Sequence, residues 1–294
     1  MISSSKALKT IIALALFYST LIFAGLTPNN ARSQKAPSIL TISPQIALPI
    51  GIKIWFNECG GHVEGLTTWN EGENFASLGI GHFLWHPYLN QRASFNSGFP
   101  NLVRYIKKRG GKIPTWLHEN LYCPWNSRQE FLQAQNSPRM TELRTFLQQT
   151  IPLQAEYMVK HLQEILPNLL ESTPQKDRTL IYHNFSTLAR TPAGIYALVD
   201  FLNFKGAGIS NAPRNYERGS GLLHVLKGMS FAPRGSTPLQ AYVWSAKHAL
   251  IRRVEQAPPS AHHERWLAGW FNRLNTYLEG DYPTTKQYAL DYVS

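Results

Sequence analysis

Four glutamates, Glu58, Glu64, Glu71 and Glu73, fall within sixteen residues of a chain that has only 18 acidic residues against 29 Lys and Arg. Carboxylates crowded together repel one another, so such a cluster in a basic protein is a candidate site. A pair of carboxyl groups can break a glycosidic bond: one protonates the leaving oxygen, and the other activates water or attacks directly. The two stand roughly 5–5.5 Å apart in retaining enzymes and roughly 6.5–9.5 Å apart in inverting ones. Ile54, Trp55 and Phe56 precede Glu58, and apolar surroundings favour the protonated form that an acid catalyst needs. The role requires Glu58 to face a groove wide enough for a saccharide; a Glu58 salt-bridged in the interior, or pointing away from any such groove, would overturn it. The competing reading of Glu64, Glu71 and Glu73 is a solvated turn.

The elements that must position these groups are legible. A helix is expected from about Ala47 to Cys59, with Pro49 in its first turn and Ile50, Ile54 and Trp55 on one buried face. Gly60-Gly61 ends it, which leaves Glu58 in the last turn. Leu66–Trp69 and Phe75–Ile80 have strand composition around the turn formers Asn70–Asn74, a hairpin or small sheet, and Gly79 and Gly81 suggest close backbone approach. Beyond, the pattern is helical. Leu180, Ile181, Phe185 and Leu188 share one face, and Ile195, Leu198, Val199 and Leu202 another. The stripe Trp266, Leu267, Trp270, Phe271, Leu274 and Tyr277 reads as core. Pro and Gly near 205–221 and 231–238 separate the helices. The fold class is α+β, mainly α: a small N-terminal hairpin lobe (46–90) followed by a helical body (91–294).

Ser77-Leu78-Gly79-Ile80-Gly81-His82, with a helix-terminal Glu58 upstream and an acid between them, resembles the phage-type lysozymes, the muramidase and endolysin family. The resemblance covers about residues 50–87 and implies a lysozyme-like fold that cleaves peptidoglycan glycan strands without a cofactor or metal. It implies Glu58 as the catalytic acid, Glu71 as the hairpin acid with Glu73 as its alternative, and Ser77 in place of the Thr that holds the attacking water. His82 would brace the catalytic helix, beside the substrate. The chain departs from the family pattern in three ways: Glu for the hairpin acid, Ser for Thr, and a longer gap after Glu58. By analogy with the family, Lys205, Arg214 and Tyr216 would meet the glycan from the Gly-rich break between helices, as would the aromatic face of Trp69. The same fold would also suit a lytic transglycosylase that uses Glu58 alone, or a wall-binding protein without activity.

Other chemistries compete at the same residues. His82 and His86 have an i, i+4 spacing, but Pro87 follows and no Glu occupies the His-Glu-x-x-His position, which disfavours zinc. Cys59 with His82 as base would make a thiol nucleophile; a buried thiol or a disulfide to Cys123 is the simpler reading, and two cysteines make no disulfide scaffold. His262-His263 reads as an exposed helix start.

The ends and the charge give a setting. Lys6 and Lys9 precede an apolar run from Ile11 to Leu26, and Ala31-Arg32-Ser33 offers small residues at a cleavage position, so residues 1–33 read as an export signal and 34–45 as a linker. The expected location is periplasmic or secreted, with no membrane span after cleavage. Losing Lys6, Lys9 and Arg32, with no acid, takes the formal charge from +11 to +8. A basic exported monomer is drawn to anionic wall polymers; no basic run interleaved with aromatics suggests nucleic acid.

Overall fold

The computed structural model describes residues 40, 42–87, 98–118, 122–209 and 219–279. The expected export signal, Arg214 and Tyr216 lie outside them, as does most of the linker. The fold is mainly helical with one small antiparallel sheet. No helix among the described residues is long and apolar enough to cross a membrane.

Helix α1 is Pro44–Cys59, three residues longer at its start than expected, with Pro44 in the first turn. Pro49 therefore lies inside the helix, where its missing N–H leaves one helical carbonyl unpaired. Leu40 and Ile42 are buried, so the end of the expected linker belongs to the core. Gly60 ends α1 in the left-handed region at φ +63°, donating its N–H to the Phe56 carbonyl at 2.9 Å.

Three strands follow, β1 (Thr67–Thr68), β2 (Ala76–Leu78) and β3 (Phe83–Trp85), in the order β1-β2-β3. Thr68 pairs with Ser77, and Ser77 with Leu84. Helices α2 (Phe99–Lys108), α3 (Arg128–Gln133) and α4 (Pro138–Gln149) come next. The longest helix, α5 (Ile151–Glu171), runs against α1. A Cβ on Gly51 of α1 would sit 2.6 Å from Ile151 Cγ2 and 3.1 Å from its carbonyl oxygen, so the two helices touch backbone to backbone there.

The body continues with α6 (Gln175–Leu188), α7 (Pro192–Lys205), α8 (Leu222–Gly228), α9 (Pro238–Gln256) and α10 (Glu264–Asn275). Every residue of α7 from Gly194 to Leu202 is buried, as befits a helix that is apolar on all sides. The aromatic stripe on α10 is core only at its C-terminal end. Leu274 and Tyr277 are buried, whereas Trp266 is 52% exposed. The helix is amphipathic, but only its last turns reach the interior.

The Gly-Ile-Gly-His turn between β2 and β3 is fixed by one buried amide. Gln154 of α5 accepts the Ile80 N–H at 3.0 Å and donates to the Leu147 carbonyl at 2.6 Å and to Thr150 Oγ1 at 3.2 Å. Gly79, at φ +70°, is required twice: by the left-handed backbone, and because a Cβ would lie 2.4 Å from Gln154 Oε1. Gln154→Leu leaves the Ile80 N–H buried without a partner. It is expected to destabilise the chain by about 1–3 kcal/mol in denaturant melts; an unchanged midpoint would show that the turn is held some other way.

Burial lowers the pKa values of His86 and His224, and at His224 the charges of Arg252 and Lys227 add to the effect. The unfolded chain takes up protons on them below about pH 6.5 that the folded chain refuses, so stability falls as pH drops through that range. Above it these groups contribute no pH dependence. A His224→Leu variant should lose less stability than the parent between pH 7.5 and 5.5; an equal loss would exclude this group as a cause.

Candidate active site

Glu58 sits in the last turn of α1 with its side chain 13% exposed. Its Oε1 accepts hydrogen bonds from Asn203 Nδ2 at 3.0 Å and from Arg273 Nη2 at 2.5 Å. Its Oε2 lies 3.6 Å from His82 Nδ1. The site therefore joins α1, the β2–β3 turn, α7 and α10. This corrects the expectation of apolar surroundings. Ile54 and Trp55 are buried and Phe56 is 47% exposed. Ile54 and Trp55, four and three residues before Glu58, share its side of the helix, but the carboxyl group itself meets Asn203, Arg273 and His82.

Arg273 is shared between two carboxylates. Its Nε and Nη2 each bond Asp200 at 2.8 Å, in addition to the bond to Glu58. Burial opposes the arginine's charge, but Asp200 and Glu58 outweigh it and push its pKa above the ordinary value. Asp200 is fully buried, and Tyr277 Oη and Asn57 Nδ2 also donate to it, at 2.5 and 3.2 Å. Asn57 Nδ2 donates to Tyr196 Oη as well, at 2.7 Å. Burial, then the charge of Asp200, raise the pKa values of Tyr196 and Tyr277, so both phenols keep their protons.

Beside Glu58 opens a cavity of about 330 Å³. Its walls are the β2–β3 turn and β3 (Gly81–Leu84), α5 (Tyr157, Met158, His161, Ile165) and the C-terminal end of α7 (Val199, Leu202, Asn203). His82 and Asn203 both line it and both reach Glu58, which is not itself a lining residue. His82 holds a left-handed φ of +48°, uncommon for a residue with a side chain. A bond from its N–H to the Gly79 carbonyl, at 3.2 Å, closes the turn.

The other sequence-predicted residues lie elsewhere. Glu71 is exposed at the hairpin tip, and Glu73 there accepts from Asn70 at 3.2 Å. Neither lines the cavity. Glu64 is exposed, and its charge acts on Arg144. Ser77 is buried in β2. Trp69, expected to offer a face to sugar, is 5% exposed instead, with its ring against Phe131 and its Nε1 donating to the Glu73 carbonyl at 2.8 Å. It braces the hairpin. Lys205 extends over the rings of Phe204 and Trp270, 3.8 Å from each centroid. Cys59 and Cys123 are unpaired, and burial pushes both thiols up to about 12, which leaves neither as a nucleophile at neutral pH. No His, Cys, Asp and Glu group suited to a metal is found among the described residues.

Asp200, Asn203 and Arg273 did not emerge from sequence reasoning. The signal for the first two is polar residues three apart on an otherwise apolar helix; for Arg273 it is a cation inside the aromatic stripe of α10. Replacing Arg273 by Met leaves two carboxylates facing each other without their cation. That should cost about 3–5 kcal/mol, read as a lower unfolding midpoint. A loss below about 1 kcal/mol would mean that the cluster behaves like an exposed ion pair. In comparison with known proteins the chain matches no family model, no curated protein and no solved structure, so the chemistry of the site rests on its own geometry.

Proposed function

We propose that the protein is an exported, lysozyme-like glycoside hydrolase that cleaves peptidoglycan glycan strands, with Glu58 as the general acid. The observation that carries this reading is a helix-terminal carboxyl group in contact with two residues that line the cavity, His82 and Asn203. The groove has mostly apolar walls, among them Phe83, Leu84, Val199 and Leu202, with polar groups at His82, Tyr157, His161 and Asn203. Saccharides present apolar C–H faces and hydroxyl edges, and both find partners there.

An isolated Glu58–Arg273 ion pair would count against acid catalysis. Glu58 is so paired, with its side chain 13% exposed, but Asp200 shares that arginine, so Glu58 is not its sole counter-ion. Asp200 already matches the arginine's charge with two hydrogen bonds. The cluster thus holds two carboxyl groups and one arginine. A saccharide filling the groove would exclude water from a proton on Glu58. Glu58 would then give it to the glycosidic oxygen as positive charge develops on the departing ring. The ring cation is next captured by water; Glu71 and Glu73, the hairpin acids of the family pattern, do not line the cavity where that water would stand.

One observation favours a second reading, a lytic transglycosylase. Among the described residues no carboxylate lines the cavity, and only Glu58 is bonded to residues that do; a reaction in which the sugar's own hydroxyl captures the cation needs only Glu58. Product masses separate the two, because intramolecular capture leaves an anhydro end and hydrolysis a reducing end.

Glu58→Gln keeps the hydrogen-bond geometry and removes the proton donor. It is expected to lower glycan cleavage by at least about 10²-fold while leaving wall binding and the unfolding midpoint close to the parent. A wild type that binds wall material but releases no fragments would make this a wall-binding protein. A Gln variant as active as the parent would remove Glu58 from the chemistry.

A further inference from the structure

The C-terminal end of α2 carries Arg104, Lys107, Lys108, Arg109 and Lys112, five cations in nine residues, all exposed. Among the described residues only Arg109 has an acidic partner: its guanidinium meets the buried Glu156 at 3.0 Å. Glu164, on the neighbouring α5, is taken by Lys160. Arg104 donates to the neutral Asn101, and no carboxylate stands within ion-pair distance of Lys107, Lys108 or Lys112 among the described residues. Cations in the last turn complement the helix dipole, but that accounts only for Lys107 and Lys108; Arg104 lies before that turn and Lys112 beyond the helix.

This ledge continues the groove. Gly98, which caps the N-terminus of α2, lines the cavity, as do Tyr157 and His161 of α5, the helix on which α2 packs. Arg104 is close enough to Tyr157 for its charge to act on that phenol. At 1.5 Å of rise per residue, Lys107 and Lys108 stand about 13–15 Å along α2 from the groove wall.

We propose that the ledge holds the carboxylates of the peptide stems carried by a glycan strand seated in the groove. The assignment rests on the reading of the groove as a glycan site. A polymer with repeated anionic side groups leaves the groove at an unneutralised cationic face, and charge complementarity then adds grip outside the reacting bond.

The test uses the full chain with Glu58→Gln, so that bound wall is not consumed, with and without Lys107→Gln, Lys108→Gln and Lys112→Gln together. Binding is measured to peptidoglycan sacculi freed of teichoic acid, and to the same glycan stripped of its peptides by an amidase. The triple substitution is expected to weaken sacculus binding about tenfold at low salt and to flatten its salt dependence, with Lys→Arg at the same positions restoring both. Binding to stripped strands should not respond. Equal sacculus binding by triple variant and parent overturns the proposal, and so does the same lysine dependence on stripped strands. If the lysine dependence appears but the wild-type chain releases no fragments from sacculi, cleavage by Glu58 fails and the ledge stands.

Discussion

One arginine answers to two carboxylates, and the architecture of the site follows from that division. Arg273 has its Nε and one terminal nitrogen on Asp200, and the same terminal nitrogen reaches Glu58. Burying three charges is costly unless each is paired and hydrogen-bonded. Here Asp200, the most buried, has four donor contacts from three residues, whereas Glu58, at the groove, is bound through one oxygen and leaves the other towards His82. The asymmetry distinguishes a fully enclosed carboxylate, Asp200, from one that is 13% exposed and has one oxygen without a bonded donor closer than His82.

The cluster is useful only if the β2–β3 turn reaches it, and two close approaches ensure that. At Gly51 the absence of a side chain lets α1 meet α5 along its backbone. At Gly79 the same absence lets the turn rest on Gln154, also of α5. Helix α5 is thus the common reference for Glu58 and His82, and their 3.6 Å separation reflects two independent contacts to one rigid element. Close-packed interiors transmit position in this way because they have little slack to absorb an error.

The sequence revealed the parts that are local. A helix stopped by two glycines, a turn-rich stretch between strand-like segments and apolar periodicities of 3.6 residues are short-range patterns, and the corresponding elements are present. The start of α1 escaped because Pro44 and Pro49 compete as first-turn residues, and only tertiary burial of Leu40 and Ile42 decides between them. Trp69 was misjudged because an indole serves equally as a sugar platform or as a hairpin brace, and its Nε1 partner, the Glu73 carbonyl, is a matter of turn geometry. The four clustered glutamates share a stretch of sequence but not a place: Glu58 stands at the groove, and Glu71 lies at an exposed hairpin tip. Periodicity found the helix faces without saying which polar residue on a buried face is there for another polar residue.

Arg273 lies beyond the reach of any local pattern, since it meets Glu58 across 215 positions. The end of α10 is tied to the first helix by other means as well. Lys53 of α1 donates to the carbonyls of Thr276 and Glu279, and Tyr196 of α7 bonds Thr276 Oγ1 at 2.7 Å. These contacts dock the final turns of α10, while Leu267 and Trp270 pack only partly buried against the core and Trp266 stays exposed, so burial of the stripe is graded from one end to the other. Such long-range closure is slow to form because the chain loses loop entropy before the contact rewards it. Until it forms, Asp200 and Glu58 lack their common cation. The last helix therefore completes the set of partners around Glu58, to which α7 contributes Asn203 and the β2–β3 turn His82, so the environment of this carboxyl group depends on the packing of the whole body.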